Sequence, residues 1–397
     1  MEPVLLVGAF GQGNPGDEAL FEAFRSALDG WPLVVTSGPF TTRDVAARDV
    51  AARDTLGGGA LEVRRVPSSS PASVALETAR CGAVVFGGGT VFKTLHPSSR
   101  RPARDLVVRA LLLAAGARAM GRPVAMMGVG VGDLGGVGTR SLARMLARQA
   151  TLLLLRDERS AAALGAVGLP GPFRVGSDPA WAVFDTLPGP GPAALGDPGP
   201  AGPCERAEAV GLVLNHEMDV REDALVAALT PFVADGRRVL VIPWQTGPFG
   251  RGEQDTAERL ARRLGGPALA TAPPADLAAA TKLLGECAVV LTQRFHALHA
   301  AAAAQVAAVA FDHEHKIGAL AARLGQRTVA PAAAPAEVAA AAAEAMSSPP
   351  PPLPAVRAEI ARAQDGFRLL RLLLDPSRLD DLAGLEGLPL EAAPSMS

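Results

Sequence analysis

The sequence predicts an α/β protein made of two doubly wound, Rossmann-like domains that face a cleft. Short apolar runs alternate with longer amphipathic segments along most of the 397 residues. Glycines or polar side chains follow many of these runs, which is typical of loops at the carboxyl ends of parallel strands. Residues 188–203 contain eleven Pro or Gly, and the alternation restarts after them.

These observations divide the chain into five parts. We predict an amino-terminal domain over 1–187, a linker over 188–206, a carboxyl-terminal domain over 207–346, a helix over 355–375 and a flexible tail over 376–397. Strands are expected in the first domain at Pro3–Phe10, Leu33–Thr36, Gly82–Phe86, Val124–Val129, Leu152–Leu155 and Phe173–Val175. In the second they are expected at Ala209–Leu214, Val239–Ile242, near Leu269, at Ala288–Thr292 and at Val306–Phe311.

Helices are expected between the strands. The clearest begin after Gly16 and run to about Leu28, or cover Glu253–Leu264, Ala297–Ala304, Lys316–Leu324 and Val356–Leu374. Another is expected to begin at Pro273-Pro274, because proline is favoured in the first turn of a helix. The tandem repeat within Arg43–Asp54 predicts one solvated helix edge.

Composition excludes several classes of protein. A net charge of −2 gives no overall attraction to nucleic acid. The three cysteines lie far apart, which favours a reducing cytoplasm and argues against a structural zinc site. No signal peptide and no membrane-spanning run is predicted, whereas contact with the inner surface of a membrane is left open. No cofactor is expected.

The segment from Cys287 to Gly325 predicts an anion site. Two loops at the carboxyl ends of its strands carry Gln293, Arg294 and His296 in one case and Lys316 in the other. Cations at two helix amino termini suit phosphate. The chain has only three lysines, so Lys316 in such a loop is a candidate ligand rather than a default cation. Arg156, at the end of another strand, is a further candidate.

Two glycine-rich loops are candidate ligand loops in the first domain. Asn14, Asp17 and Glu18 begin the first helix after a glycine-rich turn. Their carboxylates suit sugar hydroxyls or acid–base chemistry, while a capped helix start explains them equally well. A strand also leads into Gly87-Gly88-Gly89, where the backbone is open to a ligand.

Histidines raise the alternative of a metal site. His296 and His299 are three residues apart on one helix face, a workable ligand spacing. No thiolate or HExxH pattern joins them, so we predict no metal and expect His299 to pack in the interior or support the site.

Seven motifs resemble, in order, those of polysaccharide pyruvyl transferases. They are Gly11-x-x-Asn14-x-Gly16-Asp17-Glu18, Gly87–Gly89, Arg156-Asp157-x-x-Ser160, Asp178-Pro179-Ala180, Pro243-x-Gln245, Arg294-x-His296-Ala297 and Asp312-x-x-x-Lys316. The resemblance implies a GT-B-like architecture and transfer of pyruvate from phosphoenolpyruvate to a glycan or lipid-linked sugar acceptor, as in polymers that anchor surface layers. It implies a catalytic role for His296, Arg294 and Lys316, with His296 as the proton donor. Arg156, Gln293, Arg294 and Lys316 would hold the donor, and Asn14, Asp17, Glu18, Gly88 and Gly89 the acceptor.

Some residues depart from the family pattern. Thr292 stands where a smaller residue, often Ser, is usual, and Phe311-Asp312 replaces Tyr-Asp. The longer spacing to Lys316 leaves open whether Asp312 or Glu314 is the matching acid. Two other functions stay open: a nucleotide-sugar glycosyltransferase of the same architecture, and a non-catalytic glycan-binding relative.

Overall fold

The chain folds into two parallel α/β sheets, each covered by helices. The structure is a computed structural model, and it describes residues 1–38, 63–95, 101–169, 173–185, 209–215, 218, 221–246 and 252–378.

The first sheet has seven parallel strands among the described residues. They are β1 (Val4–Phe10), β2 (Leu33–Ser37), β3 (Val63–Pro67), β4 (Ala83–Gly87), β5 (Val124–Val129), β6 (Leu152–Leu155) and β7 (Arg174–Val175). The spatial order is β3-β2-β1-β4-β5-β6-β7, so the chain reverses direction across the sheet between β1 and β4. Strands β2, β4 and β5 are buried throughout, as expected for continuous apolar runs covered on both faces.

Helices follow these strands as in a doubly wound fold. They are α1 (Pro15–Ala27), α2 (Pro71–Arg80), α3 (Asp105–Ala119), α4 (Val137–Ala147) and α5 (Glu158–Ala166), with a 3₁₀-helix over Pro179–Asp185. Asp157 caps α5, because its Oδ1 accepts a hydrogen bond from the Ser160 N–H at 2.7 Å.

The second sheet has six parallel strands among the described residues. They are β8 (Ala209–Val213), β9 (Val239–Ile242), β10 (Ala268–Ala270), β11 (Cys287–Thr292), β12 (Ala307–Phe311) and β13 (Arg327–Val329). Their order, β10-β9-β8-β11-β12-β13, repeats the winding of the first sheet. The associated helices are α6 (Glu222–Ala234), α7 (Glu253–Leu264), α8 (Leu277–Leu284), α9 (Phe295–Ala303), α10 (His315–Arg323), α11 (Pro335–Ser347) and α12 (Leu353–Leu374).

The chain forms two compact units, and neither is continuous in sequence. The first unit comprises Met1–Gln12, Leu20–Ala180 and Ala361–Ser397, and the second comprises Gly13–Ala19 and Trp181–Ile360. The first turn of α1 therefore belongs with the second unit. Each unit has its own apolar core around its sheet.

The predicted class of fold is confirmed, with two doubly wound parallel sheets. Every strand predicted by position is present, and no predicted end differs from the observed one by more than one residue. The helix predicted to begin at Pro273-Pro274 is present as α8, but its predicted start is wrong. It begins at Leu277, because Asp276 caps it by accepting a hydrogen bond from the Ala279 N–H at 2.7 Å. Strand β13 and the alanine-rich helix α11 were not predicted.

Three sequence predictions fall outside the described residues in whole or in large part. They concern the repeat within 43–54, the linker at 188–206 and the tail at 376–397. Within the described part, no helix is both long enough and apolar enough to cross a bilayer.

Candidate functional site

The loop between β11 and α9 is shaped by a hydroxyl. The Thr292 Oγ1 accepts a hydrogen bond from the Arg294 N–H at 2.9 Å and donates to the Arg294 carbonyl at 3.1 Å. This closed turn delivers Arg294 to the position just before α9, in an extended conformation. A serine at this position would supply the same hydroxyl, so Thr292 and Ser are equivalent in the chemistry of the turn.

Arg294 is held by a buried carboxylate. Its guanidinium bonds to Glu253, and its Nε donates to the Leu214 carbonyl at 3.1 Å. Arg294 is 8% exposed and Glu253 3% exposed. Because a buried ion pair is lost at high cost when one partner is removed, Glu253 fixes both the charge and the direction of Arg294.

Glu253 also organises the turn after β9. Its Oε2 accepts hydrogen bonds from the Trp244 N–H at 2.7 Å and the Gln245 N–H at 3.0 Å. From the sequence, Glu253 is predicted only as the start of a helix. The available signal was its position: an acid in the first turn of α7, a few residues after a Pro-x-Gln turn at the end of a strand.

His296 lies in the first turn of α9 against the start of α1. It is half-buried, and its Nε2 atom is shielded from solvent. A Cβ placed on Gly16 would overlap the His296 imidazole. Only glycine therefore permits this approach of the two helix starts. The contact brings the Asn14–Glu18 turn and His296 together within the second unit.

His299 packs in an aromatic cluster rather than facing a ligand. It is fully buried, with its ring 4.4 Å from that of Trp181 and 4.7 Å from that of Phe295. Its Nδ1 lies 3.1 Å from the Phe295 carbonyl, an arrangement in which Nδ1 donates. This is the packing role expected for His299, and its ring stands 5.2 Å from that of His296.

Asn14 ties the first turn of α1 into the second unit. Its Oδ1 accepts hydrogen bonds from the Gly16 N–H and from Trp244 Nε1, both at 3.1 Å. Thr246 donates its N–H to the Gly13 carbonyl at 3.0 Å. Asp17 and Glu18 follow in the same helical turn, where carboxylates are stabilised by the helix dipole.

Lys316 lies in the first turn of α10 and forms an ion pair with Glu314. The Nζ is 2.5 Å from Glu314 Oε2 and 5.7 Å from the centre of the Phe295 ring. The side chains of Lys316 and Glu314 are 26% and 34% exposed. Asp312 instead directs its carboxylate towards the Gly318 backbone within α10. Glu314 is therefore the acid paired with the lysine.

Gln293 joins the ends of neighbouring strands. Its Oε1 accepts from the Asn215 N–H at 3.0 Å, and its carbonyl accepts from Asn215 Nδ2 at 3.3 Å. Asn215 Nδ2 also lies 3.5 Å from His313 Nε2, while His313 Nδ1 lies 3.0 Å from the Phe311 carbonyl. This network links the loops after β8, β11 and β12.

Arg156 is buried among polar groups of the first unit. It is 3% exposed, and its guanidinium nitrogens lie 3.5 Å from oxygens of Asp157, Asp178 and Thr90. Two buried carboxylates thus compensate one buried cation.

The glycine triplet follows β4 in the same unit. Gly88 and Gly89 both have φ of +75°, which favours glycine. A Cβ on Gly88 would meet Leu20, whereas one on Gly89 would meet nothing within 4 Å. Gly89 is therefore the position in this loop where the backbone has open space beside it.

The predicted residues accordingly divide between the two units. The second unit holds Asn14, Asp17, Glu18, Gln293, Arg294, His296 and Lys316, and the first holds Gly88, Gly89 and Arg156. Among the residues that the structure describes, no three His, Cys, Asp or Glu side chains are grouped as metal ligands would be.

Two doubly wound parallel sheets in one chain define a GT-B-like fold. The sequence model of the polysaccharide pyruvyl transferase family matches residues 51–315. The chain belongs to that family, and is a transferase by that membership.

Solved structures share the fold. UDP-N-acetylglucosamine 2-epimerase from Rickettsia bellii is similar with a TM-score of 0.61 and 13% identity, covering 96% of this chain and 97% of its own. The Methanocaldococcus jannaschii UDP-GlcNAc 2-epimerase gives 0.60 and 12%, covering 94% and 99%. HepE from Anabaena, in complex with UDP and glucose, gives 0.54 and 11%, covering 96% and 100%. No curated protein matches the chain in sequence.

Proposed function

We propose that this protein transfers pyruvate from phosphoenolpyruvate to a sugar of a bacterial cell-surface polysaccharide or its lipid-linked precursor. The product is a pyruvyl ketal, and phosphate is released. Family membership supports the reaction class. The observation that carries the proposal is the placement of His296 and Lys316 in the first turns of α9 and α10, which follow the adjacent parallel strands β11 and β12.

The donor matches the charge of this region. Phosphoenolpyruvate carries roughly three negative charges near neutral pH, since the second pKa of a phosphate monoester is about 6. Helix amino termini and Lys316 favour an anion. The Lys316–Glu314 pair is partly exposed and screened by water, so an incoming phosphate can take Lys316 from Glu314 at small cost.

Arg294 has a different role in this scheme. Its partner Glu253 is buried. If Arg294 left Glu253 to bind a ligand, the buried Glu253 carboxylate would lose its compensating cation. We assign to Arg294 the role of fixing the loop that carries His296. The ion pair with Glu253 sets the orientation of the guanidinium, including its other N–H groups. Gln293 and Arg156, both held by buried protein partners, enter the proposal as residues that shape their loops rather than as the main donor ligands.

The chemistry requires one proton donor. His296 gives a proton to the methylene carbon of phosphoenolpyruvate, which leaves a cationic carbon at C2. A sugar hydroxyl attacks C2 and releases its own proton, which restores the imidazolium. Cleavage of the bond between C2 and the phosphate oxygen then releases phosphate. The second hydroxyl closes the ketal, and its proton leaves with the phosphate.

The acceptor is proposed to contact the start of α1. Asp17 and Glu18 accept hydrogen bonds from sugar hydroxyls and repel a trianion, so they suit the acceptor better than the donor. Their turn is in the same compact unit as His296. Gly88 and Gly89 belong to the first unit, and their contact with the acceptor stays a prediction from the sequence.

A nucleotide sugar is the second candidate donor. HepE from Anabaena and MnaA from S. aureus, which share this fold, have been solved with UDP. A diphosphate would suit the same cationic helix starts.

One experiment separates these functions. The purified chain is incubated with lipid-linked sugar acceptors and either phosphoenolpyruvate or a panel of UDP-sugars, followed by assay of phosphate and UDP and mass spectrometry of the acceptor. We expect phosphate release and a pyruvyl mass gain with phosphoenolpyruvate alone. UDP release with a glycosyl mass gain would replace the proposal, and binding of glycan without turnover of either donor would indicate a non-catalytic protein.

A further inference from the structure

Helices α3 and α4 carry a strong concentration of positive charge. Residues 101–148 contain eight arginines, two aspartates and neither lysine nor glutamate, in a chain whose net charge is −2. Asp105 pairs with Arg101 and Arg109. The other aspartate, Asp133, accepts a hydrogen bond from the Gly135 N–H. Most of this charge is therefore left uncompensated by the segment itself.

Five of these arginines have no carboxylate partner among the residues that the structure describes. They are Arg104, Arg118, Arg140, Arg144 and Arg148. Arg118 reaches only the Thr151 hydroxyl at 3.4 Å, and Arg140 donates to the Gly135 carbonyl at 3.1 Å. A cluster of cations without acids attracts an anionic partner.

Large apolar side chains are exposed among these arginines. Seven large hydrophobic residues in the described part are exposed, and four of them lie on or beside α3 and α4. They are Leu112 at 67%, Met120 at 44%, Val137 at 80% and Met145 at 50% exposure. Single exposed apolar residues are ordinary, but four on two contacting helices form a patch.

Helical spacing places the two kinds of side chain together. One face of α4 and its C-cap carries four of these residues, because their spacing matches the helical repeat. They are Val137, Arg144, Met145 and Arg148. On α3, apolar residues occur round the whole circumference, and the exposed Arg109 and Leu112 are three residues apart. Helices apolar all round are usually buried, so this outer face lacks the polar covering expected in water.

We propose that this surface, defined as the α3–α4 face by Leu112, Val137, Arg144, Met145 and Arg148, docks on the anionic headgroups of a lipid bilayer. Arginines bind lipid phosphates while their neighbours Leu112, Val137 and Met145 enter the boundary between headgroups and acyl chains. Both helices lie in the first unit, and the inference does not depend on the donor or on the catalytic proposal.

Two other occupants fit the face less well. A second copy of the chain in a two-fold dimer would place arginines opposite arginines, since such an interface uses the same patch on both subunits. A nucleic acid would be attracted by the arginines, but it offers no partner to Leu112, Val137 and Met145 beyond its ribose and base edges.

Vesicle flotation tests the proposal. The full chain is mixed with phosphatidylcholine vesicles, with or without phosphatidylglycerol, at about 0.1 M and about 1 M salt, which shortens the Debye length from about 10 Å to about 3 Å. We expect binding only to the anionic vesicles, weakened by salt. Failure to bind anionic vesicles, or equal binding to both compositions, would overturn the proposal.

Substitutions locate the contact. Arg144→Ala with Arg148→Ala should weaken binding roughly thirty-fold, at about 1 kcal/mol for each arginine near an anionic surface. Leu112→Asn should weaken it further. The controls in the second unit, Arg238→Ala with Arg262→Ala and Leu269→Asn, remove exposed side chains of the same kinds and should bind like the wild type.

Parallel measurements decide between occupants. Sedimentation of the wild type and the Arg144/Arg148 variant should give the same mass, and a fluorescent duplex DNA should bind far more weakly than the anionic vesicles at equal salt. A change of oligomeric state in the variant, or preferential binding of DNA, would overturn the membrane assignment in favour of that partner. Circular dichroism melting shows that each variant is folded.

Discussion

His296 and Gly16 depend on each other through direct contact. The helix starts of α1 and α9 approach so closely that no side chain fits at Gly16. A Gly at this position is therefore a requirement of the histidine rather than of the turn in which it lies, since the positive φ values of the turn belong to Gly11 and Gly13. The same contact makes the imidazole a fixed element of the proposed site.

Gly16→Ala should impair catalysis by displacing His296. A misplacement of about 1 Å can lower turnover on the order of a hundred-fold. We expect kcat for pyruvyl transfer to fall by roughly that factor while the melting temperature changes little. Gly165→Ala is the control, because a Cβ there meets nothing within 4 Å. Equal activity of the two variants would remove the positional role of Gly16.

His296→Gln should lower kcat by roughly 10²–10⁴ and leave the dissociation constant for phosphoenolpyruvate within a few-fold. The reason is that a proton donor acts in the transition state, whereas a phosphate ligand acts in ground-state binding. Single-turnover kinetics and calorimetric binding measure the two quantities separately. A glutamine variant that keeps kcat but binds the donor weakly would make His296 a phosphate ligand.

Lys316→Ala should weaken phosphoenolpyruvate binding by roughly thirty- to a hundred-fold, from about 2–3 kcal/mol for a charge-assisted contact. Lys316→Arg should restore only part of it, because a planar fork places its charge differently from an ammonium. Lys282→Ala, which removes an exposed lysine of α8, is the matched control. Unchanged donor affinity in Lys316→Ala would exclude this assignment.

Among the elements, α7 organises the loops at the carboxyl ends of β8, β9 and β11. Its first residue, Glu253, binds Arg294 through one oxygen and the Trp244 and Gln245 backbone through the other. Arg294 in turn donates to Leu214, directly after β8. A single carboxylate therefore joins three strand ends.

Removing this carboxylate should destabilise the second unit. We expect Glu253→Ala to lower the unfolding free energy by about 3–5 kcal/mol, because a buried guanidinium is left unpaired. Glu253→Gln should cost less, since its amide oxygen still accepts from the two backbone N–H groups. Urea unfolding measures both, with the exposed Glu258→Ala of the same helix expected within about 0.5 kcal/mol of wild type. Equal losses in Glu253→Ala and Glu258→Ala would contradict the argument.

Sequence patterns predicted the elements better than the contacts between them. The apolar runs of β4, β5, β8 and β12 can be recognised as buried strands from the sequence, because a strand covered on both faces is continuously hydrophobic. The loops after β11 and β12 follow from the polarity of parallel sheets. By contrast, nothing local in the sequence pairs Glu253 with Arg294, which lies 41 residues further along. The Asn14–Trp244 hydrogen bond spans 230 residues and was equally hidden.

At the scale of the whole molecule, each unit contains one buried free cysteine among the described residues. Cys81 lies in the first unit and Cys287 in the second. Burial raises the pKa of the Cys287 thiol from 9.0 to about 12, and that of Cys81 to about 11. Neither thiol is positioned as a nucleophile, because the reactive form is the thiolate.

Alkali should therefore destabilise the second unit through Cys287. Between pH 9.0 and about 12 the thiol ionises in the unfolded chain but stays protonated in the folded one. The stabilisation is complete below pH 9.0 and is lost as pH rises, by up to about 1.4 kcal/mol per pH unit. Cys81 adds a similar loss in the first unit between pH 9.0 and about 11, while the chain has no tyrosine and only three lysines.

Urea unfolding from pH 8 to pH 11 checks this expectation. It compares two proteins that both carry Cys204→Ser, one with Cys287 and one with Cys287→Ala. The Cys287→Ala variant starts from a lower stability but should show a shallower decline with pH. Parallel declines in the two proteins would mean that another group carries the alkaline sensitivity.

The discontinuity of the first unit has a consequence for how the chain is made. The Phe367 ring of α12 packs edge-on against Phe24 at 5.0 Å, and Gly366 lies beside Leu154. The last strand of this sheet ends at Val175, so the ribosome completes the sheet 192 residues before it supplies Phe367. At a synthesis rate of about 5–20 residues per second, the apolar surface around Phe24 stays uncovered for roughly 10–40 s before α12 can pack on it. A nascent chain of this protein is thus exposed to aggregation during most of its second half, and chaperone binding to stalled chains shorter than 367 residues should exceed binding to the released protein.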